Sequence, residues 1–207
     1  GLTDARRERV SLAPINSTAF AIGWYNITSA DEMRATYSIA GTSLTGSTQT
    51  DGAVGTNFFD NALTTLNSTA YAYCYIDGAE NDPDAYMVNS ATNAIIGIEN
   101  TIDIAMAQES NQSNLFDCVA INSSSFAAIF FDDADNDATI AVIDEVGVDI
   151  VSEVDLDLDV GENSAVEVTQ LDDDKFAAIW FNSGTASNIT GFVANAMNNT
   201  VKNKKII

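Results

Sequence analysis

The sequence repeats one phrase four times, and this repetition limits the folds open to the chain more than any other feature. The phrase has an aliphatic residue, four mostly polar residues, an aromatic residue, an alanine, two variable positions and two large residues. Its copies begin 51, 55 and 50 residues apart. A period of about fifty residues is typical of repeat architectures in which each repeat forms one structural unit. The copies are INSTAFAIGWYN from Ile15, LNSTAYAYCYID from Leu66, INSSSFAAIFFD from Ile121 and LDDDKFAAIWFN from Leu171.

Each copy of the phrase predicts a hairpin followed by a buried strand. The Asn, Asp and Ser residues of the polar stretch favour a tight turn. The residues after the turn alternate between two apolar faces, so the strand must be covered on both sides. Two more β-rich segments follow, for example ATIAVIDEV from Ala138 and DIVSEVDL from Asp149, which gives about four strands per repeat, as in a β-propeller blade. In the fourth copy one face carries Phe176, Ala178 and Trp180, and the other carries Ala177, Ile179 and Phe181.

We therefore expect an all-β protein in which four repeats form one four-bladed, β-propeller-like domain over residues 1–207. The repeats are predicted at roughly 9–51, 58–102, 115–157 and 165–207. A β-sandwich built by duplication is the alternative, because periodicity does not distinguish a closed ring from stacked layers. The repeat phrase resembles those of bacterial and archaeal propeller-like surface proteins. The design also resembles that of subunits of glycosylated extracellular microbial filaments, in which short β-domains are chained by their termini.

Composition excludes several classes of function. The chain has 30 acidic and 8 basic residues and a net charge of -22, which repels nucleic acids and anionic lipids. The sequence contains no run of about 18 apolar residues, the length that would predict a membrane-spanning helix. The chain has no histidine, so histidine-based triads and imidazole metal ligands are excluded. We expect a protein that is not an enzyme; a glycosidase-type pair of carboxylates is the least favoured alternative.

Seven Asn-x-Ser/Thr sequons predict N-glycosylation and an extracellular location. Asn16, Asn67 and Asn122 occupy the same position of the turn in three successive repeats, where the fourth repeat has Asp172. The alternative is that Asn-Ser is simply favourable turn chemistry. The candidate sites are Asn16, Asn26, Asn67, Asn111, Asn122, Asn188 and Asn198.

The two cysteines lie in strand segments of neighbouring repeats. A disulfide between Cys74 and Cys118 would fit an exported protein. Two buried free thiols are the alternative, because both residues have apolar neighbours.

An acidic loop follows the strand of the third repeat. Asp132, Asp133, Asp135 and Asp137 offer the oxygen ligands that Ca²⁺ prefers. A solvated acidic loop explains the same residues, since the spacing is not that of an EF-hand. No cofactor is expected unless this loop binds Ca²⁺.

Basic residues are concentrated at the two ends of the sequence. Between positions 11 and 200 the only basic residues are Arg34 and Lys175, so the body is strongly acidic. Basic ends and an acidic body make copies of the chain electrostatically complementary. Ends that pack on their own subunit are the alternative. The candidate assembly residues are Arg6, Arg7, Arg9, Lys202, Lys204 and Lys205.

These observations predict a structural subunit of an extracellular glycosylated filament or surface layer, assembled head to tail through its termini. Its partners would be copies of itself and covalent N-glycans. The alternative is a carbohydrate-binding propeller, a lectin or adhesin that holds sugar with exposed aromatic residues such as Tyr25 or Tyr75.

Overall fold

A computed structural model describes residues 10–26, 31–40, 43–53, 61–77, 82–101, 116–132, 137–144, 149–155, 166–182, 188–195 and 200–206. Every regular element in these ranges is a β-strand, and the strands form antiparallel sheets of four consecutive strands each. The predicted all-β fold is confirmed.

The strands follow the chain in order through the sheets. The first sheet comprises β1 (Ser11–Asn16), β2 (Ala19–Asn26), β3 (Asp31–Ala40) and β4 (Ser43–Ala53). The second comprises β5 (Asn61–Asn67), β6 (Ala70–Asp77), β7 (Asp82–Asn89) and β8 (Ile95–Thr101). The third comprises β9 (Phe116–Ala120), β10 (Ser125–Asp132), β11 (Asp137–Asp144) and β12 (Asp149–Asp155). The fourth comprises β13 (Val166–Asp172), β14 (Lys175–Asn182), β15 (Asn188–Asn195) and β16 (Thr200–Ile206).

The repeated phrase forms the hairpin between the first and second strands of each sheet. Its polar residues make the turn, and its apolar residues make the second strand. In three sheets the strand register shifts at the aliphatic residue that begins the phrase, which is Ile15, Leu66 or Leu171. These shifts are the irregularities of β-bulges, which increase the local twist.

The second strand of each sheet has two faces, which we name the leading and the trailing face. The leading face carries the aromatic residue of the phrase, and the trailing face carries the alanine after it. In the second sheet, Tyr71, Tyr73 and Tyr75 of the leading face pack with Ala21 of the first sheet's trailing face. Each trailing face therefore meets the leading face of the next sheet.

Three apolar cores fill the gaps between consecutive sheets, and each joins one trailing face to one leading face. The first core contains Ile15 and Ala21 with Tyr71, Tyr73, Tyr75, Tyr86 and Val88. The second joins Ala72, Cys74 and Ile76 to Phe126, Ala128 and Phe130. The third joins Ala127 and Ile129 to Phe176, Ala178 and Trp180.

In the part of the chain that the structure describes, the four sheets form an open arc. The inner strands β1, β5, β9 and β13 lie side by side in that order, along the axis of the arc. Among the described strands, no comparable packing joins β13 back to β1. We name the leading face of the first sheet the first open face, and the trailing face of the fourth sheet the second open face. Leu12 on the first open face is 62% exposed, and Ile179 on the second is 45% exposed.

The expectation that the strand after each turn is covered on both sides is confirmed for the middle sheets. Every residue from 71 to 76 and from 126 to 130 is at most 2% exposed. The expectation is wrong for the fourth sheet, where Phe176, Ala178 and Trp180 are buried but Ile179 is not. The reason is that no described sheet packs against the second open face. A two-layer sandwich is excluded, because each middle sheet packs between two others.

The last strand belongs to its own repeat. The pattern of TVKNKKII predicts a final strand, and β16 pairs with β15 inside the fourth sheet. The described residues therefore contain no sheet shared between the two ends of the chain.

Candidate functional site

Arg34 is a buried cation at the joint between the first and second sheets. Its side chain is 2% exposed. Its Nη1 donates hydrogen bonds to the carbonyl oxygen of Asn93 at 2.9 Å and to Oδ1 of Asn93 at 2.8 Å. Its Nε donates to the hydroxyl of Tyr86 at 3.2 Å, and the guanidinium lies 5.2 Å from the centre of that ring. These contacts offset the cost of removing the cation from water.

Asn93 is the centre of this polar network. Its Oδ1 also accepts hydrogen bonds from the hydroxyl of Tyr71 at 2.9 Å and, more weakly, from that of Thr36 at 3.4 Å. Asn93 has a φ of 58°, a left-handed conformation that asparagine adopts more readily than most residues. The side chain is thereby held between the two sheets, and the network is a structural link.

Tyrosines and one glycine allow the first and second sheets to approach closely. Tyr73 stacks on Tyr75 with ring centres 5.4 Å apart and contacts Tyr86 at 5.6 Å. A Cβ atom on Gly23 would lie 2.7 Å from the Tyr73 ring and 3.0 Å from Oδ1 of Asn61. Glycine is therefore required where β2 faces this tyrosine cluster.

A cavity of about 190 Å³ lies beside this joint, among the inner strands β1, β5 and β9. Ser11, Asn61 and Asp117 contribute a hydroxyl, an amide and a carboxylate to its lining, and the Ser11 hydroxyl donates to Oδ1 of Asn61. We name it the axial cavity. Its lining combines a few polar groups with apolar surface, as small-molecule sites do. The lining residues are Val10, Ser11, Leu12, Asn61, Ala62, Leu63 and Asp117.

Hydrogen bonds between neighbouring inner strands hold the walls of the axial cavity in place. Oδ2 of Asp117 accepts a hydrogen bond from the backbone N–H of Val168 at 2.9 Å. Oγ1 of Thr64 accepts one from the backbone N–H of Ala120 at 2.8 Å. The polar groups are thus positioned on strands, which fix a site more rigidly than loops do.

The in-register sequons form Asx turns. Oδ1 of Asn16 accepts hydrogen bonds from the backbone N–H of Thr18 at 2.9 Å and from its hydroxyl at 3.0 Å. Asn67 and Asn122 make the same two bonds to the residue two positions later. Nδ2 of Asn67 also donates to the carbonyl oxygen of Ser123 at 3.0 Å, so these two turns are neighbours on one rim. These hydrogen bonds account for the repeated asparagine as a turn-forming residue. Glycosylation of the three asparagines stays a prediction.

The fourth turn replaces the asparagine by a charged cluster. Lys175 Nζ lies 2.9 Å from Oδ2 of Asp172 and 2.8 Å from Oδ1 of Asp174. The hydrogen bond from Lys175, together with one from Asp174, lowers the pKa of Asp172 from 3.8 to about 2. The same contacts raise the pKa of Lys175. All three side chains are about half exposed, so the cluster adds little to stability.

The other four predicted glycosylation sites are only partly described. Asn26 ends β2 and Asn188 begins β15. Asn111 and Asn198 lie outside the described residues.

The predicted disulfide is not formed. Cys74 and Cys118 are both free and buried, at 0% and 6% exposure. Cys74 lies on the trailing face of the second sheet and Cys118 on β9 of the third, and both pack in the second core. Each acts there as a small apolar side chain, which is the alternative that the sequence left open.

The predicted metal and assembly residues fall mostly outside the described part. Asp132 ends β10 and Asp137 begins β11, whereas Asp133 and Asp135 are not described. No group of metal-ligating side chains is found among the residues that the structure describes. Lys202, Lys204 and Lys205 lie in β16, and Arg6, Arg7 and Arg9 are outside the described ranges. None of the described residues belongs to a helix able to cross a bilayer.

The aromatic residues named for sugar binding are not both available. Tyr75 is 2% exposed and packs in the first core, so the expectation that it is an exposed platform is wrong. Its ring is needed in the tyrosine cluster. Tyr25 lies in β2, and its side chain is outside the described part.

Comparison with known proteins shows the fold. No protein family and no curated protein matches the sequence. Among solved structures, the chain is similar to the SapL1 lectin in complex with α-methyl fucoside, with a TM-score of 0.62, 6% identity, and coverage of 96% of this chain and 65% of that one. It is also similar to AofleA from Arthrobotrys oligospora, with a TM-score of 0.58, 6% identity, and coverage of 97% and 57%.

A third similar structure comes from a study of two prolyl endopeptidases, with a TM-score of 0.53, 13% identity, and coverage of 97% of this chain and 28% of that one. The chain spans less than two thirds of the length of each of these proteins. The structural similarity establishes a shared architecture. Because the sequence identities are so low, the similarity does not establish a shared function. These similarities, including that to the SapL1 lectin, show that the chain has a β-propeller-like fold.

Sequence reasoning missed the polar network at the first joint. Arg34 carried a signal, because it is one of only two basic residues between positions 11 and 200 of a very acidic chain. Asn93 and Tyr86 carried none, since they meet Arg34 only through the packing of two sheets. The axial cavity was missed for the same reason, as Ser11, Asn61 and Asp117 come from three different repeats.

Proposed function

We propose that this is a non-catalytic carbohydrate-binding protein whose axial cavity holds the sugar. The observation that carries the proposal is the lining of that cavity, where Ser11, Asn61 and Asp117 lie beside apolar Leu12 and Leu63. Hydroxyl groups of a sugar both donate and accept hydrogen bonds, and a carboxylate and an amide serve both needs. The fold shared with SapL1, which was solved with a fucoside, supports the same class of ligand.

The ligand is expected to be a small neutral sugar or the end of a neutral glycan. A cavity of about 190 Å³ is smaller than the pockets of roughly 300–1,000 Å³ that enclose drug-sized ligands. A protein with a net charge of -22 repels sugars that carry carboxylates or sulfates.

The experiment is a glycan array followed by calorimetric titration of the best neutral sugar. Asp117→Asn should weaken binding about tenfold or more, because it removes a charged acceptor. Glu167→Gln is the matched control, since it removes one carboxylate at the repeat-equivalent position of β13, outside the cavity. A protein that binds no glycan, or an Asp117→Asn variant that binds as well as Glu167→Gln, would overturn the proposal.

The proposal includes an extracellular location and glycans on the hairpin rim. Asn16 is exposed at its turn, and the Asn67 and Asn122 turns lie beside each other on one rim. The mass of the native protein should fall on enzymatic deglycosylation, with sugar on peptides containing these three residues. Unmodified peptides at all three positions would sink this part of the proposal.

A second candidate function is that of a repeating subunit of an extracellular filament or surface layer. The observation that favours it is the pair of apolar open faces at opposite ends of the arc. Contacts through the basic residues near both ends of the sequence are the alternative to contacts through these faces. Electron microscopy of native material should show polymers. Images that contain isolated particles and no polymers would count against this function.

A further inference from the structure

We propose that the two open faces pair between copies of the chain. In this joint, the second open face of one copy packs against the first open face of the next. The inference rests on the second proposed function, self-assembly, and goes beyond it by replacing contacts through the termini with a specific sheet-to-sheet joint.

The aliphatic residue that begins each phrase gives the clearest argument. It lies at the end of the first strand of each hairpin or, for Ile121, one residue beyond it, and in the first three repeats it belongs to the core that follows its own sheet. Ile15, Leu66 and Ile121 are 6%, 8% and 0% exposed in the first, second and third cores. Leu171 is the fourth member of the series and is 53% exposed. Its position fits a fourth core that requires another leading face.

The second open face has a groove at the position of an internal joint. Glu167, Thr169, Ala177 and Ile179 of this face line a cavity of about 270 Å³, together with Val168, whose side chain packs on the other face against the third core. On the third sheet, the repeat-equivalent Ala127 and Ile129 are covered by aromatic residues of the next leading face. The groove therefore has the form of a site for a leading face of the same repeat.

The first open face offers such a leading face. Phe20 and Ile22 are the repeat equivalents of Phe176 and Ala178, and both are only partly buried. Trp24, the equivalent of Trp180, is already 6% exposed within the chain, so the accessible part of this face lies at its other residues. Phe20 stacks on Tyr37 with 5.6 Å between ring centres, so this face carries a pair of aromatic side chains. The register of β3 and β4 places Ile39 opposite Leu44 on the same face.

Exposed apolar side chains in the described part concentrate on these two faces. Of the seven large hydrophobic residues exposed there, three lie on the first open face and two on the second. Contiguous exposed apolar surface marks interaction sites. The three are Leu12, Ile39 and Leu44, and the two are Leu171 and Ile179.

One charged residue in the joint has an internal precedent. Asp117 accepts the backbone N–H of Val168 across the third joint. Glu167 occupies the equivalent position on β13, and Leu12 occupies the position of Val168 on β1. Glu167 is thus placed to accept the N–H of Leu12 from the next copy.

The pairing is heterologous, because two different faces meet. Heterologous joints produce closed rings or open filaments, depending on the rotation between copies. Each copy has a net charge of -22, so repulsion opposes assembly and salt should strengthen it. Assembly through basic ends on an acidic body would instead weaken as salt rises.

The test is sedimentation velocity of the full 207-residue chain over a range of concentrations, with two face variants. Leu44→Asp alters the first open face and Ile179→Asp the second, and both residues are exposed, so the fold should tolerate them. Each variant should weaken self-association by roughly a hundredfold, since a carboxylate would be buried in the joint. Ile95→Asp, at a 39% exposed position on neither open face, should assemble like the wild type.

A mixture of the two face variants gives the sharpest result. Each retains the face that the other has lost, so the mixture should form a one-to-one dimer that does not grow. A wild-type chain that stays monomeric, a mixture that does not pair, or association that weakens with salt would overturn the joint. Sugar binding by the monomer is a separate measurement, so failure of the carbohydrate proposal would not be confused with failure of this one.

Discussion

The open arc predicts that one substitution will have two different costs at repeat-equivalent positions. Leu66 and Leu171 begin the phrase in the second and fourth repeats, but they are 8% and 53% exposed. Leu66→Ala should destabilise the chain by about 2–5 kcal/mol, through lost burial and a cavity in the second core. Leu171→Ala removes a half-exposed side chain and leaves no enclosed cavity, so it should cost about 1 kcal/mol or less.

The comparison is made by urea unfolding, followed by tryptophan fluorescence, at a protein concentration where sedimentation shows the monomer. The unfolding curves of the wild type and both variants are fitted for two parameters, the free energy of unfolding and its dependence on urea concentration. The second parameter separates a change of stability from a change of the unfolded state. Equal losses in both variants, independent of concentration, would show that the fourth sheet is covered within one chain. That result would refute the open arc.

Three further outcomes follow from individual contacts. Gly23→Ala should cost about 1–3 kcal/mol in urea unfolding, because its Cβ would lie 2.7 Å from a tyrosine ring in the first core; an unchanged midpoint would contradict this packing. Thiol labelling without reductant should modify neither Cys74 nor Cys118 in the native protein, and both after denaturation. If neither cysteine is labelled after denaturation, the disulfide is present after all. The carboxyl of Asp172 should titrate near pH 2 in an NMR titration, and Lys175→Met should move its pKa back towards 3.8. Since the folded pKa is depressed, this small contribution to stability is complete above about pH 4 and is lost as the pH falls through 2; an unshifted carboxyl would exclude the ion pair.

The strands were predictable because their signal is local. Alternation after each polar turn defined β6, β10 and β14, and the Asn-Ser and Asp-rich turns marked the hairpins that precede them. A repeat that recurs every fifty residues or so then fixed the number of strands in each unit. These properties depend on neighbouring residues only, so the sequence displays them directly.

The joints between sheets were not predictable in the same way. Ile129 and Ile179 follow the same FAA tripeptide at the same position of the phrase, yet one is fully buried and the other is 45% exposed. The difference lies in whether another described sheet packs on that face, and no local sequence pattern reports this. Arg34 and Asn93 meet across two sheets for the same reason. The candidate site therefore depends on how the sheets pack together, whereas the strands depend on the repeated phrase alone.

Each sheet is continuous in sequence and, within the part of the chain that the structure describes, packs mainly against its neighbours along the arc. This has a consequence for how the molecule unfolds. Stability in such an array is a sum of the sheets and the nearest-neighbour joints. The second and third sheets each have two joints, while the first and fourth have one, so unfolding should begin at the ends and reach the middle last. Amide hydrogens of β6 and β10 would then exchange with solvent most slowly. A chain organised in this way can gain or lose a whole sheet during evolution without rebuilding the others.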